Sequence, residues 1–88
     1  MVKIESFEDL KSWQKARELC KLIFSFTKKG KFSAEFSLKD QIKRSSGSVM
    51  DNMAEGFERS SNKDFRRFLF IAKGSLSEVK SQLYRSIN

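Results

Sequence analysis

The sequence predicts an all-α fold, an up-down antiparallel helical bundle, and three observations carry that prediction. Apolar residues recur at spacings of three and four through three separate stretches of the 88-residue chain, which is the period of one helical face and not of a strand. No proline interrupts any stretch, so no helix loses a backbone donor or meets a ring clash in the preceding turn. The breaks, near Gly30 and near Arg59–Asn62, are short, and short connections make consecutive helices antiparallel neighbours. The whole chain, residues 1–88, reads as a single domain.

The first helix is expected over residues 7–29. Ser6 stands as N-cap with Asp9 three residues on, a shorter version of the capping box. Glu8 and Asp9 suit the positive end of the helix dipole, and Lys28 and Lys29 the negative end. Gly30 supplies the left-handed stop. Leu10, Trp13, Ala16, Cys20, Ile23 and Thr27 draw one face, and Leu19, Leu22 and Phe26 widen it enough to touch two neighbours.

The second helix is expected over residues 35–58, with Leu38, Ile42, Ser45, Val49, Asn52 or Met53, and Gly56 on one face. Its middle, Arg44-Ser-Ser-Gly-Ser48, has poor helix propensity, with Gly47 alone costing about 1 kcal/mol against Ala. The apolar period nevertheless stays in phase on both sides, so Ser45–Ser48 reads as a small-residue patch where another helix comes close. The third helix, residues 62–87, starts at a Ser61 cap with Asp64 in the box spacing. Phe65, Phe68, Ala72, Ser75 or Leu76, Val79 and Leu83 step along it as a bundle seam, and Ala72, Gly74 and Ser75 form a second small patch. The chain stops at Asn88, at or near the end of this helix. The expected core is Leu10, Trp13, Ile23, Leu38, Ile42, Val49, Phe65, Phe68, Ala72, Leu76 and Val79.

Catalytic chemistry finds little material. There is no His, which removes a histidine base, a Ser-His pair and the Glu-x-x-His metal motif of ferritin-like bundles. No strand precedes a glycine-rich loop that could hold phosphate. The single cysteine, Cys20, excludes an internal disulfide and a multi-cysteine zinc site. Asp51, Glu55 and Glu58 share one helical face. A salt bridge at Glu55 competes there with acid–base or metal work. No enzyme, cofactor or metal is expected. The start lacks the apolar core of a signal peptide and no run is long enough to span a bilayer, so a cytoplasmic protein without membrane contact is expected.

Charge is the more informative feature. Eighteen Lys and Arg against eleven Asp and Glu give +7. Such an excess fits an anionic partner, RNA or DNA first, and it equally fits solvated faces that keep a bundle soluble. Arg66, Lys73 and Lys80 recur at heptads with Lys63 one turn earlier, making a continuous stripe on the third helix. Lys39 and Lys43 form a shorter strip on the second, and Lys28, Lys29 and Lys31 cluster at the first break. Phosphate contacts require no more than this. No exposed aromatic is evident between the basic residues, since most Phe positions and Trp13 read as core.

One string is more specific: Gln41-Ile42-Lys43-Arg44-Ser45, Ser48, Asn52-Met53-Ala54-Glu55-Gly56, then Asp64-Phe65, Arg67-Phe68-Leu69, Ile71-Ala72, Gly74-Ser75-Leu76 and Glu78. With Phe7, Leu10, Trp13-Gln14 and Ala16 upstream, the chain from about Ile4 to Leu83 resembles the four-helix bundle proteins encoded in intervening sequences of bacterial 23S ribosomal RNA genes. The resemblance implies an up-down four-helix protomer and a homo-oligomer, with a pentamer favoured. It extends to the accessory protein of diversity-generating retroelements, and through it implies binding of nucleic acid and a reverse transcriptase by basic surfaces. No catalytic residue carries over. Asn52, Glu55 and Gly56 match the signature, and their positions read as helix-end and interhelical polar packing. Three helices are present where the family has four, so an apolar groove and self-association are expected.

Overall fold

The computed structural model describes residues 4–87, so Asn88 and its expected place at the helix end lie outside the described residues. Among the described residues there are three α-helices and no strand: α1 (Lys11–Phe26), α2 (Phe36–Phe57) and α3 (Asn62–Ile87). Short 3-10 turns, Phe7–Asp9 and Gly30–Ala34, precede α1 and α2.

The chain entry differs from expectation. Ser6 and Asp9 do form the predicted box, but what they cap is a 3-10 turn. The Asp9 carboxylate accepts the backbone N–H groups of Glu5 (3.0 Å) and Ser6 (3.2 Å), and those bonds hold its pKa below the usual carboxylate range. Leu10 then takes extended backbone (φ −71°, ψ 123°), so α1 starts at Lys11 and not at Phe7. Phe7 still packs edge-on against Trp13, with ring centroids 5.2 Å apart. At the other end Thr27, fully buried, turns its hydroxyl back to the Phe24 carbonyl (2.8 Å). Helix α1 therefore ends at Phe26, three residues early, and Gly30 takes the expected left-handed φ of 57° in the following turn.

Helix α2 runs through Gly47 without a break. Helix α3 opens where predicted, with Ser61 Oγ accepting the Asp64 N–H at 3.1 Å. Contacts between α2 and α3 fall in opposite sequence order. Arg85 donates to Gln41 Oε1 (3.0 Å), Ser48 and Ser75 hydroxyls meet at 2.9 Å, and Gly56 lies against Phe68. The two helices thus run in opposite directions. The same holds for α1 and α2, where Cys20 Sγ donates to the Ser46 carbonyl (3.2 Å) and Lys43 Nζ lies 5.0 Å from the Phe24 ring.

Helix α2 is the hub. It carries the packing to both neighbours, more with α3 than with α1, and direct contact between α1 and α3 is slight. The innermost cluster takes one residue from each helix, Ile23, Ile42 and Val79, with Leu19, Phe32 and Leu83 against it. The radius of gyration is 14.4 Å, against roughly 12 Å for a compact chain of this length. That excess reflects the elongated, open arrangement around α2.

Burial agrees with expectation at Ile23, Leu38, Ile42, Val49, Phe68, Ala72 and Val79. Leu10, Trp13 and Phe65 are only half-buried. Leu76 is a correction: it is 46% exposed, because Ser75 takes the inward position and turns its neighbour about 100° round the helix. The small patches hold at Ser45, Ser46, Ala72 and Ser75, all buried, and at Ser48, whose hydroxyl meets that of Ser75, but not at their glycines. A Cβ added at Gly47 or Gly74 would meet nothing within 4 Å. At Gly56 it would stand 2.6 Å from Phe68 Cβ and 3.1 Å from Phe65 Cδ1, so among the helical glycines the close approach is at the one near the helix end.

Candidate nucleic-acid interface

The inward row of α3 is Phe68, Ala72, Ser75, Val79 and Gln82, all buried. Residues displaced by roughly half a turn from that row point away from α2. Arg66, Lys73 and Lys80 hold those positions, with Lys63 one turn before, and all four are exposed. None of the four forms an ion pair among the described residues, while Arg44 pairs with Asp40, Arg59 with Glu55 (2.9 Å) and Lys21 with Glu18 (3.9 Å). The helical acids on α1 and α2 that pair do so within one turn of their own helix. The stripe on α3 keeps its charge uncompensated.

Lys39 and Lys43 lie elsewhere. Lys39 Nζ donates to the Ser33 carbonyl (3.1 Å) and sits 5.1 Å from the Phe36 ring, while Lys43 leans on Phe24 of α1. Both are half-buried along α2, and no hydrogen bond or ion pair among the described residues joins them to the stripe. Sequence spacing groups each strip correctly on its own helix but brings the two no closer.

Two residues on this face were missed by sequence reasoning. Phe70 is 67% exposed and Tyr84 62% exposed. Both fall in phase with the stripe: Arg66, Phe70, Lys73, Ser77, Lys80 and Tyr84 step by four and three in alternation. That spacing is the available signal, masked at Phe70 by the general expectation that phenylalanine packs in the core. Phe70 sits in a shallow depression walled by Lys63, Asp64, Arg66 and Arg67. Phe68, by contrast, is buried, with the guanidinium groups of Arg59 and Arg67 at 4.9 and 5.5 Å from its ring.

On its flank toward α1, the stripe borders an apolar groove of about 450 Å³ lined by Leu19, Leu76, Val79 and Leu83. Lys73 and Lys80 form its edge. The remaining candidates have structural employment. Asn52 Nδ2 donates to the Ser48 carbonyl (2.8 Å) and hydroxyl (2.9 Å), extending the Ser48–Ser75 contact between α2 and α3. Glu55 takes the expected salt bridge, to Arg59. No group of three or more His, Cys, Asp and Glu among the described residues could hold a metal ion. Burial raises the Cys20 thiol pKa, which the contact from Ser46 partly offsets. Among the described residues no helix is long and apolar enough to cross a membrane.

Comparison with known proteins finds one family, described as 23S rRNA-intervening sequence protein, matched over residues 8–88. No curated protein and no solved structure matches the chain.

Proposed function

The chain belongs to the 23S rRNA-intervening sequence protein family, and from that premise we propose a non-enzymatic, cytoplasmic, homo-oligomeric adaptor that binds RNA or DNA through the outer face of α3. The observation that carries the reading is the uncompensated stripe of Lys63, Arg66, Lys73 and Lys80. Phosphate neutralisation by such residues releases counterions and needs no preformed pocket. No set of side chains here forms a code for base edges, so sequence preference is weak in this reading.

In this reading α1, α2 and α3 occupy three positions of an up-down four-helix bundle. The groove at Leu19, Leu76, Val79 and Leu83 marks the fourth. Self-association covers it, and the family resemblance favours a pentamer. Symmetry then repeats the stripe as a band of positive charge. The groove also favours a second reading, a protein-binding or structural bundle whose charge only keeps it soluble.

The deciding measurement is the salt dependence of RNA and DNA binding. Log affinity should fall linearly with log salt, by about 0.7–0.9 per phosphate neutralised. Changing Arg66, Lys73 and Lys80 together to Ala should flatten that slope with the fold intact, since each solvent-facing change costs under about 0.5 kcal/mol. An unchanged slope in the triple variant would leave the second reading standing.

A further inference from the structure

We infer that the outer face of α3 is a stacking platform for single-stranded nucleic acid, on which Phe70 and Tyr84 receive bases while Lys73 and Lys80 take phosphates between them and Arg66 takes one beside Phe70. This rests on the nucleic-acid reading above and narrows it to one class of strand.

An exposed aromatic by itself means little, because single apolar residues are common on protein surfaces. What distinguishes Phe70 and Tyr84 is their company. Phe70 is two-thirds exposed, yet its depression is walled by Lys63, Asp64, Arg66 and Arg67. A protein partner that buried this ring in an apolar interface would also have to desolvate those charges, at a cost that only matched counter-charges could offset. A nucleotide meets both demands at once. Its base covers the ring and its phosphate meets the cations, three against the single Asp64 carboxylate. Tyr84, four residues beyond Lys80, is a second solvent-facing ring in phase with the stripe.

The spacing fits a strand laid along the helix. At 1.5 Å per residue, Phe70 and Tyr84 stand about 21 Å apart along the axis, with Lys73 and Lys80 between them. That is the length of about six stacked nucleotides at 3.4 Å each. Paired bases inside a duplex are already stacked and cannot reach either ring. The aromatics therefore add affinity only for single strands, and without regard to base identity, since every base presents a π-face. The cations serve both forms alike.

The test compares a labelled 12-nucleotide oligo(dT) or oligo(U) strand with a duplex of the same length, for the parent chain, Phe70→Ala/Tyr84→Ala, Phe70→Trp and the Arg66/Lys73/Lys80→Ala variant. Each lost stack should weaken single-strand binding by about 5- to 160-fold. Duplex affinity should change less than twofold, the salt slope should stay at the parent's value, and Phe70→Trp should retain binding. Thermal melts monitored by circular dichroism verify that each variant folds. If the aromatic double variant binds the single strand like the parent while the cationic variant loses its slope, the platform is overturned and the nucleic-acid reading survives. If the parent binds neither strand form, both fall. If the aromatic variant instead loses self-association in sedimentation with its strand affinity unchanged, the two rings are a protein contact and the platform is again overturned.

Discussion

Gly56 shows how a single atom decides a position. Ala is the better helix former by about 1 kcal/mol, and at Gly47 and Gly74 an added Cβ enters open space. Gly47→Ala should therefore raise stability by up to about 1 kcal/mol, seen as a higher melting temperature. At Gly56 the same methyl would stand 2.6 Å from Phe68 Cβ, which no real Cβ tolerates. Overpacking of this kind costs about 1–3 kcal/mol and exceeds the propensity gain, so Gly56→Ala should melt lower than the parent. Equal melting temperatures in the two variants would contradict the close approach. The sequence shows all three glycines in the same helical context and cannot rank them. What separates them is the partner helix, whose register on α2 is set by contacts far along the chain.

Between elements, the hydroxyl contact of Ser48 and Ser75 lies near the middle of the α2–α3 seam. Ser75 is buried against α2, so a larger branched side chain there must displace its neighbours. Ser75→Leu should cost about 1–3 kcal/mol in a denaturant melt, while Leu76→Ser, one residue on and exposed, should cost less. A reversal of that order would put Leu76, not Ser75, in the seam. Spacing alone leaves these two residues as alternatives, because both satisfy a three-four step. The helices themselves were legible, since period and the Ser61 cap are local signals, although Gly30 takes its left-handed φ in the turn after α1 and does not itself end the helix. The 3-10 turns were not: three to five residues leave no periodicity, and the Ser6–Asp9 box looks the same whichever helix type follows it. The site was half legible for a related reason. Heptad spacing exposes Arg66, Lys73 and Lys80, and the same phase separates the exposed Phe70 from the buried Phe68, but residue type alone reads both phenylalanines as core.

At the scale of the molecule, charge and apolar surface pull in opposite directions. Leu22 and Phe26 are more than half exposed and Leu76 nearly half, and Leu76 opens onto the groove that Leu19, Val79 and Leu83 line. Burying such surface favours association by about 25 cal/mol per Å² before ordering costs. Each copy also carries +7, and Lys73 and Lys80 stand at the groove edge, so copies repel as they approach. Salt screens that repulsion, with a Debye length near 8 Å at 0.15 M and about 3 Å at 1 M, and leaves the apolar term in place. Self-association should therefore strengthen as salt rises, whereas polyanion binding should weaken over the same range. Sedimentation at micromolar concentration should show species heavier than the 10.2 kDa protomer, shifting to higher mass between low and high salt. Leu76→Glu should reduce that mass at high salt, because a charge in a covered groove must be desolvated. Because the new carboxylate lies one turn from both Lys73 and Lys80, it should also flatten the salt slope of RNA binding. A chain that remains monomeric at every salt concentration would remove self-association from the reading. A mass that falls with added salt would mean that ion pairs, and not the groove, hold the copies together.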